Sequence, residues 1–267
     1  MNASITTDIE TTAKAGFKAL ELGAWKIDEF LKTHTINDLK SLLVKHQVEP
    51  VTLNSIEFIA FRGSEYKQIQ ERCRLLSQWC QVVGCPVLIL VPSPTYDWKI
   101  PWDKVVEEYV TVLRDLDDIA KPYGINIALE FLGFGWSTVR TPRGTLEIIR
   151  KTGRDHIGMI LDCMHFYAGG GLLEEVKALD PKRLYGFHID DMENVPKEGI
   201  TDQKRLIPGL GVIPLTDICK ALASTGYDGV CSTELFRPEY FDWDPVELAK
   251  KTKEHALKLL SPYFRID

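Results

Sequence analysis

At 267 residues, 45% hydrophobic and 26% charged, the chain is long enough to bury about three quarters of its unfolded surface and needs no disulfide or structural-metal staple. Its formal charge of −6 argues against a nucleic-acid partner, because such proteins carry a basic footprint. The N-terminus MNASITTDIE has neither the basic nor the apolar region of a signal peptide, and the run VLILV at 87–91 is far too short to span a membrane. Cys73, Cys80, Cys85, Cys163, Cys219 and Cys231 form no CxxC pair and no zinc-ribbon spacing. Most read as core thiols, consistent with a reducing cytoplasm.

In chain order, the spacing predicts a helix over residues 8–15, preceded by the stub 1–5. Apolar strand runs follow at 19–22, 51–54, 87–91, 125–131, 157–162, 184–189 and 230–235. Between them lie amphipathic stretches at 66–83, 102–121, 142–152, 215–225 and 245–260, with Gly84, Gly124, Gly153 and Gly226 where helices should end. Strand–helix alternation with continuously apolar strands means a parallel sheet covered on both faces. Seven strands plus an N-terminal stub give a (β/α)8 TIM barrel whose first strand is cut short at the N-terminus. The alternative is an open doubly wound sheet, and no glycine-rich phosphate loop follows any strand to support it. No composition break divides residues 1–267, so one barrel domain is expected.

In such a barrel, chemistry gathers at the carboxyl ends of the strands. NIALEFLG delivers Glu130 out of an apolar run. GMILDCMHFY delivers Asp162 and then His165, LYGFHIDD gives His188, Asp190 and Asp191, and GVCSTELFRPEY gives Glu234 with Arg237 following. Singly, each has a structural explanation as a helix cap, an ion pair or a hydrogen-bonded core histidine. Together, three carboxylates and an imidazole in one pocket would repel one another unless a cation sits among them. Oxygen donors with one nitrogen suit Mn²⁺, Zn²⁺ or Co²⁺, and also Mg²⁺; the absence of thiolates disfavours structural zinc.

These motifs resemble the xylose isomerase-like barrel superfamily over nearly the whole chain. ALEF, LDxxH, HIDD and ELFRPEY are most similar to the inosose (2-keto-myo-inositol) isomerases of inositol catabolism. DQKRLIPGLGVIPL, with Arg205, is similar to the segment before the last helix in those enzymes and in ketose 3-epimerases. The resemblance implies one divalent metal ion held by Glu130, Asp162, His188 and Glu234, with His165 and Arg205 contacting substrate. The family's first strand is longer, and MNASI resembles only its last residues. SIEFIAFRGSE and VPSPTYDWKIPWD leave the bound ring open. Tyr96, Trp98 and Trp102 would either floor a sugar pocket or pack on a helix, and Phe131, Phe134 and Trp136 face the same choice. Trp243 reads as packing.

A proton beside a ketone is too weakly acidic to leave unaided at neutral pH, and a divalent ion stabilises the enediolate as it forms. Glu130 and Glu234 then serve as base and acid, in an order that remains open. The expected activity is a cyclitol isomerase interconverting 2-keto-myo-inositol and 1-keto-D-chiro-inositol. An inosose dehydratase, a ketose 3-epimerase and a 3-dehydroshikimate dehydratase use the same kind of site. An abasic-site endonuclease needs extra metal-binding histidines, whereas His34, His46, His156 and His255 fall away from the strand ends. A non-catalytic sugar-binding barrel is the remaining alternative. The expected partner is a small cyclitol or ketose, with no nucleic acid and no membrane; the amphipathic helices permit a homo-oligomer without specifying one.

Overall fold

The computed structural model describes residues 3–95 and 100–266. Among them, seven parallel strands pair in chain order: β1 (Ala19–Gly23), β2 (Glu49–Ile56), β3 (Val87–Leu90), β4 (Asn126–Glu130), β5 (Ile157–Asp162), β6 (Leu184–His188) and β9 (Cys231–Ser232). Every residue of β3 and of β5 is buried, as parallel strands covered on both faces require. The covering layer comprises α1 (Ile5–Lys14), α2 (Ala24–Phe30), α3 (Ile36–His46), α4 (Tyr66–Val83), α5 (Trp102–Ala120) and α6 (Pro142–Thr152). It continues through α7 (Cys163–Gly169), α8 (Leu173–Lys177), α9 (Leu215–Ala223) and α10 (Pro245–Leu260). A short antiparallel ribbon, β7 (Asp191–Met192) with β8 (Arg205–Leu206), stands over the end of β6.

The sheet curls into a barrel. Its two edge strands, β1 and β9, are not paired in the described ladder, yet side chains from both sides of the gap meet inside. Asn54 of β2 donates to Glu21 of β1 at 3.0 Å and to Glu234, just after β9, at 2.7 Å. Outside, Lys253 of α10 donates to the carbonyl of Gly16, which tethers the last helix to the turn before β1. Register then sets the interior. Asp162 pairs with His188, and Ile160 pairs with Gly186. Two residues below each site group the same face continues, and the Ile160 side chain fills the space beside Gly186. The polar groups therefore rest on an apolar floor.

The elements largely follow the expected pattern, with two corrections. The first helix starts at Ile5 instead of residue 8, because Ser4 caps it by accepting from the Thr7 N–H at 3.2 Å. Ile5 thus belongs to α1 and not to a strand stub; Met1 and Asn2 lie outside the described residues. The last strand ends at Ser232, so Glu234 stands two residues beyond the ladder. Gly84, Gly124, Gly153 and Gly226 all adopt positive φ at helix or turn ends as expected. Five cysteines are buried and Cys231 is exposed, all of them free. Among the described residues, no helix is long and apolar enough to cross a membrane.

Candidate metal centre

Glu130, Asp162, His188 and Glu234 each present one donor atom, and these atoms all lie within 4.8 Å of one another. Three come from the final residues of β4, β5 and β6 and the fourth from just after β9. His188 is the hub. Its Nδ1 is 3.2 Å from Glu130 Oε1 and 3.7 Å from both Asp162 Oδ2 and Glu234 Oε2. Yet neither Nδ1 nor Glu130 Oε1 makes a hydrogen bond, and both are buried. Buried polar atoms that converge without pairing are costly. A divalent ion bound by these oxygens and one imidazole nitrogen removes that cost, and the donor set suits it.

The electrostatics fit the same picture. Burial raises the Glu130 carboxyl above its ordinary range, and the nearby His188 offsets only part of that. Burial likewise lifts Glu234 well above its range. His188 moves the other way from what burial alone dictates, because Glu21, Glu234 and Glu130 together favour the imidazolium. These are the signs of a pocket with too much negative charge for its own cations.

Asp162 has two duties. Its Oδ1 accepts the His165 N–H at 2.7 Å and caps α7, while Oδ2 accepts from Arg205 at 2.7 Å. The helix cap and the ion pair therefore use different oxygens of one residue. Burial works against its charge, but Arg205 foremost keeps this carboxyl well below the usual range. Arg205 is fully buried. Its Nη1 also contacts Asp190, its Nε donates to Asp202 at 3.1 Å, and its Nη2 faces His165 Nε2 at 3.3 Å. The guanidinium can only donate, so Nε2 of His165 is the acceptor and Nδ1 carries the proton. That Nδ1 is buried without a partner. Burial also holds the His165 pKa down, to about 3, so the ring is neutral and offers one free N–H.

Phe134 stands edge-on to His165 at 5.0 Å, and Trp136 stacks on Phe134 at 5.3 Å. Phe131 is instead sealed in the core. Trp102 leaves the pocket: its indole donates to Glu147 of α6 at 2.8 Å, so it packs helix against helix. Tyr96 and Trp98 lie outside the described residues. Trp243 packs on Tyr240 and under Lys251. Arg237 pairs with Glu193 and Glu239 rather than with the four ligand candidates. Of the other histidines, His34 stacks on Phe30 and His255 meets the Pro208 carbonyl.

Glu21, Thr52 and Asn54 were not singled out from the sequence, yet they complete the centre. Glu21 Oε2 receives Thr52 Oγ1 at 2.5 Å and lies 3.0 Å from His188 Nε2. These contacts hold its carboxyl down, to about 2, against the opposing effect of burial. The available signal was a carboxylate inside the apolar run ALEL, the same signal that pointed to Glu130.

Residues 9–260 match the family described as xylose isomerase-like TIM barrel. The chain belongs to that family. Among its xylose isomerase-like relatives, an inosose isomerase of Bacillus velezensis is 36% identical over 98% of this chain and 94% of its own. Another, of Bacillus subtilis, is 35% identical over 98% of this chain and 95% of its own. A crystal structure of the IOLI protein with a bound zinc atom superposes with a TM-score of 0.95. It shares 34% identity, covering 99% of this chain and 96% of that one. A xylose isomerase-like barrel with zinc in a relative agrees with the donor set found here.

Proposed function

We propose that this protein is a metal-dependent inosose isomerase that interconverts 2-keto-myo-inositol and 1-keto-D-chiro-inositol. The observation that carries the reading is a pair of carboxylates, Glu130 buried and Glu234 nearly so, flanking one imidazole in a pocket that also holds a free N–H donor. Full-length similarity to inosose isomerases supports the substrate. Residues 1–267 are read as one barrel domain, working in the cytoplasm, where its free cysteines persist.

Glu130, Asp162, His188 and Glu234 would hold one divalent ion. When bound, that ion supplies Lewis acidity for negative charge on the substrate's carbonyl oxygen, an effect of several kcal/mol. The zinc in the IOLI structure makes Zn²⁺ the first candidate, with Mn²⁺ and Co²⁺ compatible with the same donors. The chain's residues do the rest. One of the two glutamates takes the proton from the hydroxyl-bearing carbon beside the ketone. A proton returns to the former carbonyl carbon from the other, and the hydroxyl proton passes to the former carbonyl oxygen. The neutral His165 donates its Nδ1–H to a substrate oxygen. Arg205, through Nη2, bears on the same side of the pocket as His165 and Glu234. The apolar floor keeps bulk water from competing for these protons.

The test is metal-loaded protein incubated with 2-keto-myo-inositol in deuterated water. Deuterium should appear beside the carbonyl together with the chiro ketone. Absence of exchange by fully loaded protein overturns the reading. Water loss instead of isomerisation identifies a dehydratase and equally overturns it.

A further inference from the structure

We infer that Glu21 is a positioning residue of the metal centre: it accepts the Nε2–H of His188 and so turns the Nδ1 lone pair toward Glu130, Asp162 and Glu234. The inference deepens the metal-centre part of the proposed function and does not depend on which cyclitol is bound.

An imidazole ligand has two nitrogens and must keep its one proton on the nitrogen away from the ion. In His188 that nitrogen is Nε2, and a carboxylate oxygen of Glu21 lies 3.0 Å from it. The opposite nitrogen, Nδ1, faces the three candidate carboxylates. Glu21 is itself held by donors only. Oε1 receives the Asn54 amide at 3.0 Å, and Oε2 receives the Thr52 hydroxyl at 2.5 Å. A carboxylate surrounded by donors stays an acceptor, and its orientation is fixed by β2. The ring cannot reverse its tautomer without leaving the Nε2 lone pair facing a Glu21 carboxylate oxygen, acceptor against acceptor.

The same network reaches a second candidate ligand. The amide of Asn54 that holds Glu21 also donates to Glu234 Oε1 at 2.7 Å. Oε2 of Glu234 is thereby left turned toward His188 and Arg205. Glu21 thus governs one ligand directly and another through Asn54, across the seam between the sheet's two edge strands.

Glu21→Gln keeps the volume but leaves one acceptor oxygen for three donors, and its new amide N–H must face one of them. Zinc titration of metal-stripped protein against a chromophoric chelator should show affinity about 10–100-fold weaker in E21Q than in wild type. In zinc-loaded wild type, ¹⁵N-edited NMR should find the His188 Nε2–H downfield and slow to exchange, and E21Q should move it upfield. Undiminished zinc affinity in folded E21Q overturns the inference, as does a rapidly exchanging, upfield Nε2–H in wild type. The second measurement needs no variant and decides alone if E21Q does not fold. Wild type that binds zinc as described but leaves inosose untouched overturns the isomerase reading only; wild type that binds no divalent ion overturns both.

Discussion

Glu130 carries its charge into the apolar end of β4, and its Oε1 has no hydrogen-bond partner. Glu130→Gln removes the charge while keeping the shape. We expect isotope exchange beside the ketone to fall by about 10²–10⁴-fold, the usual worth of a positioned acid or base, with bound zinc quantified in the same samples. Retained zinc with lost exchange makes Glu130 a proton carrier; loss of both limits it to holding the ion. His165 allows a finer dissection, because its two nitrogens have different partners. Asn in its place reproduces a donor near Nδ1, whereas Gln reproduces the Nε2 position facing Arg205. His165→Asn should therefore keep about tenfold more kcat/KM than His165→Gln, the worth of roughly one hydrogen bond. Steady-state kinetics on 2-keto-myo-inositol distinguishes them, and the reverse order would assign the substrate contact to Nε2. Glu130 was legible because one charged letter in an apolar run is conspicuous. Glu21 carried the same mark but drew no notice, since its meaning depends on Thr52, Asn54 and His188, which lie 31, 33 and 167 positions away. No local pattern encodes that meeting; only barrel closure does.

The elements that were easiest to delimit have chemistry at their ends. Helix α6 begins at the Thr141 cap and stops at Gly153 in the left-handed region, and α10 begins where Asp244 accepts two N–H groups. The last strand was harder, because only Phe187 with Cys231 and His188 with Ser232 pair there. Its apolar letters continue past the ladder into the site. The ribbon of β7 and β8 was not anticipated, though HIDD runs into its first strand and PGLG follows its second. Asp191 binds them by accepting the N–H groups of Met192, Gly209, Gly211 and Ile213 at 2.8–3.1 Å. Gly211 approaches so closely that a Cβ would sit 2.2 Å from the Met192 carbonyl oxygen. The β7–β8 pairing sets Met192 beside Arg205, so this clamp also fixes the guanidinium between Asp162 and Asp190. Asp191→Ala frees four donors, two of them on exposed glycines that water can reach. The expected cost is about 2–3 kcal/mol, read as a fall of roughly 5–10 °C in Tm. A Tm equal to wild type would mean the ribbon stands without the clamp.

At the scale of the molecule, the barrel gathers on one side of its sheet more buried carboxylates than its own cations can balance. Glu130 and Glu234 are both shifted toward the protonated form by burial, while Arg205 is already committed to Asp162, Asp190 and Asp202. An ion that binds only the folded arrangement must stabilise the fold by mass action. The four donor groups come from 130, 162, 188 and 234, so unfolding separates them along the chain and the unfolded state cannot compete. At free zinc about 100-fold above its dissociation constant, the gain is about 2.7 kcal/mol, equivalent to a rise in Tm of roughly 5–10 °C. Chelator should reverse it. Glu234→Gln should lose most of the rise, because it removes one of the three donor carboxylates. Glu254→Gln, on the exposed face of α10 where Glu254 pairs with Lys258, should keep it. Scanning calorimetry with and without zinc on the three proteins separates a specific centre from ions scattered over an acidic surface: an equal rise in all three would place the stabilising ion elsewhere.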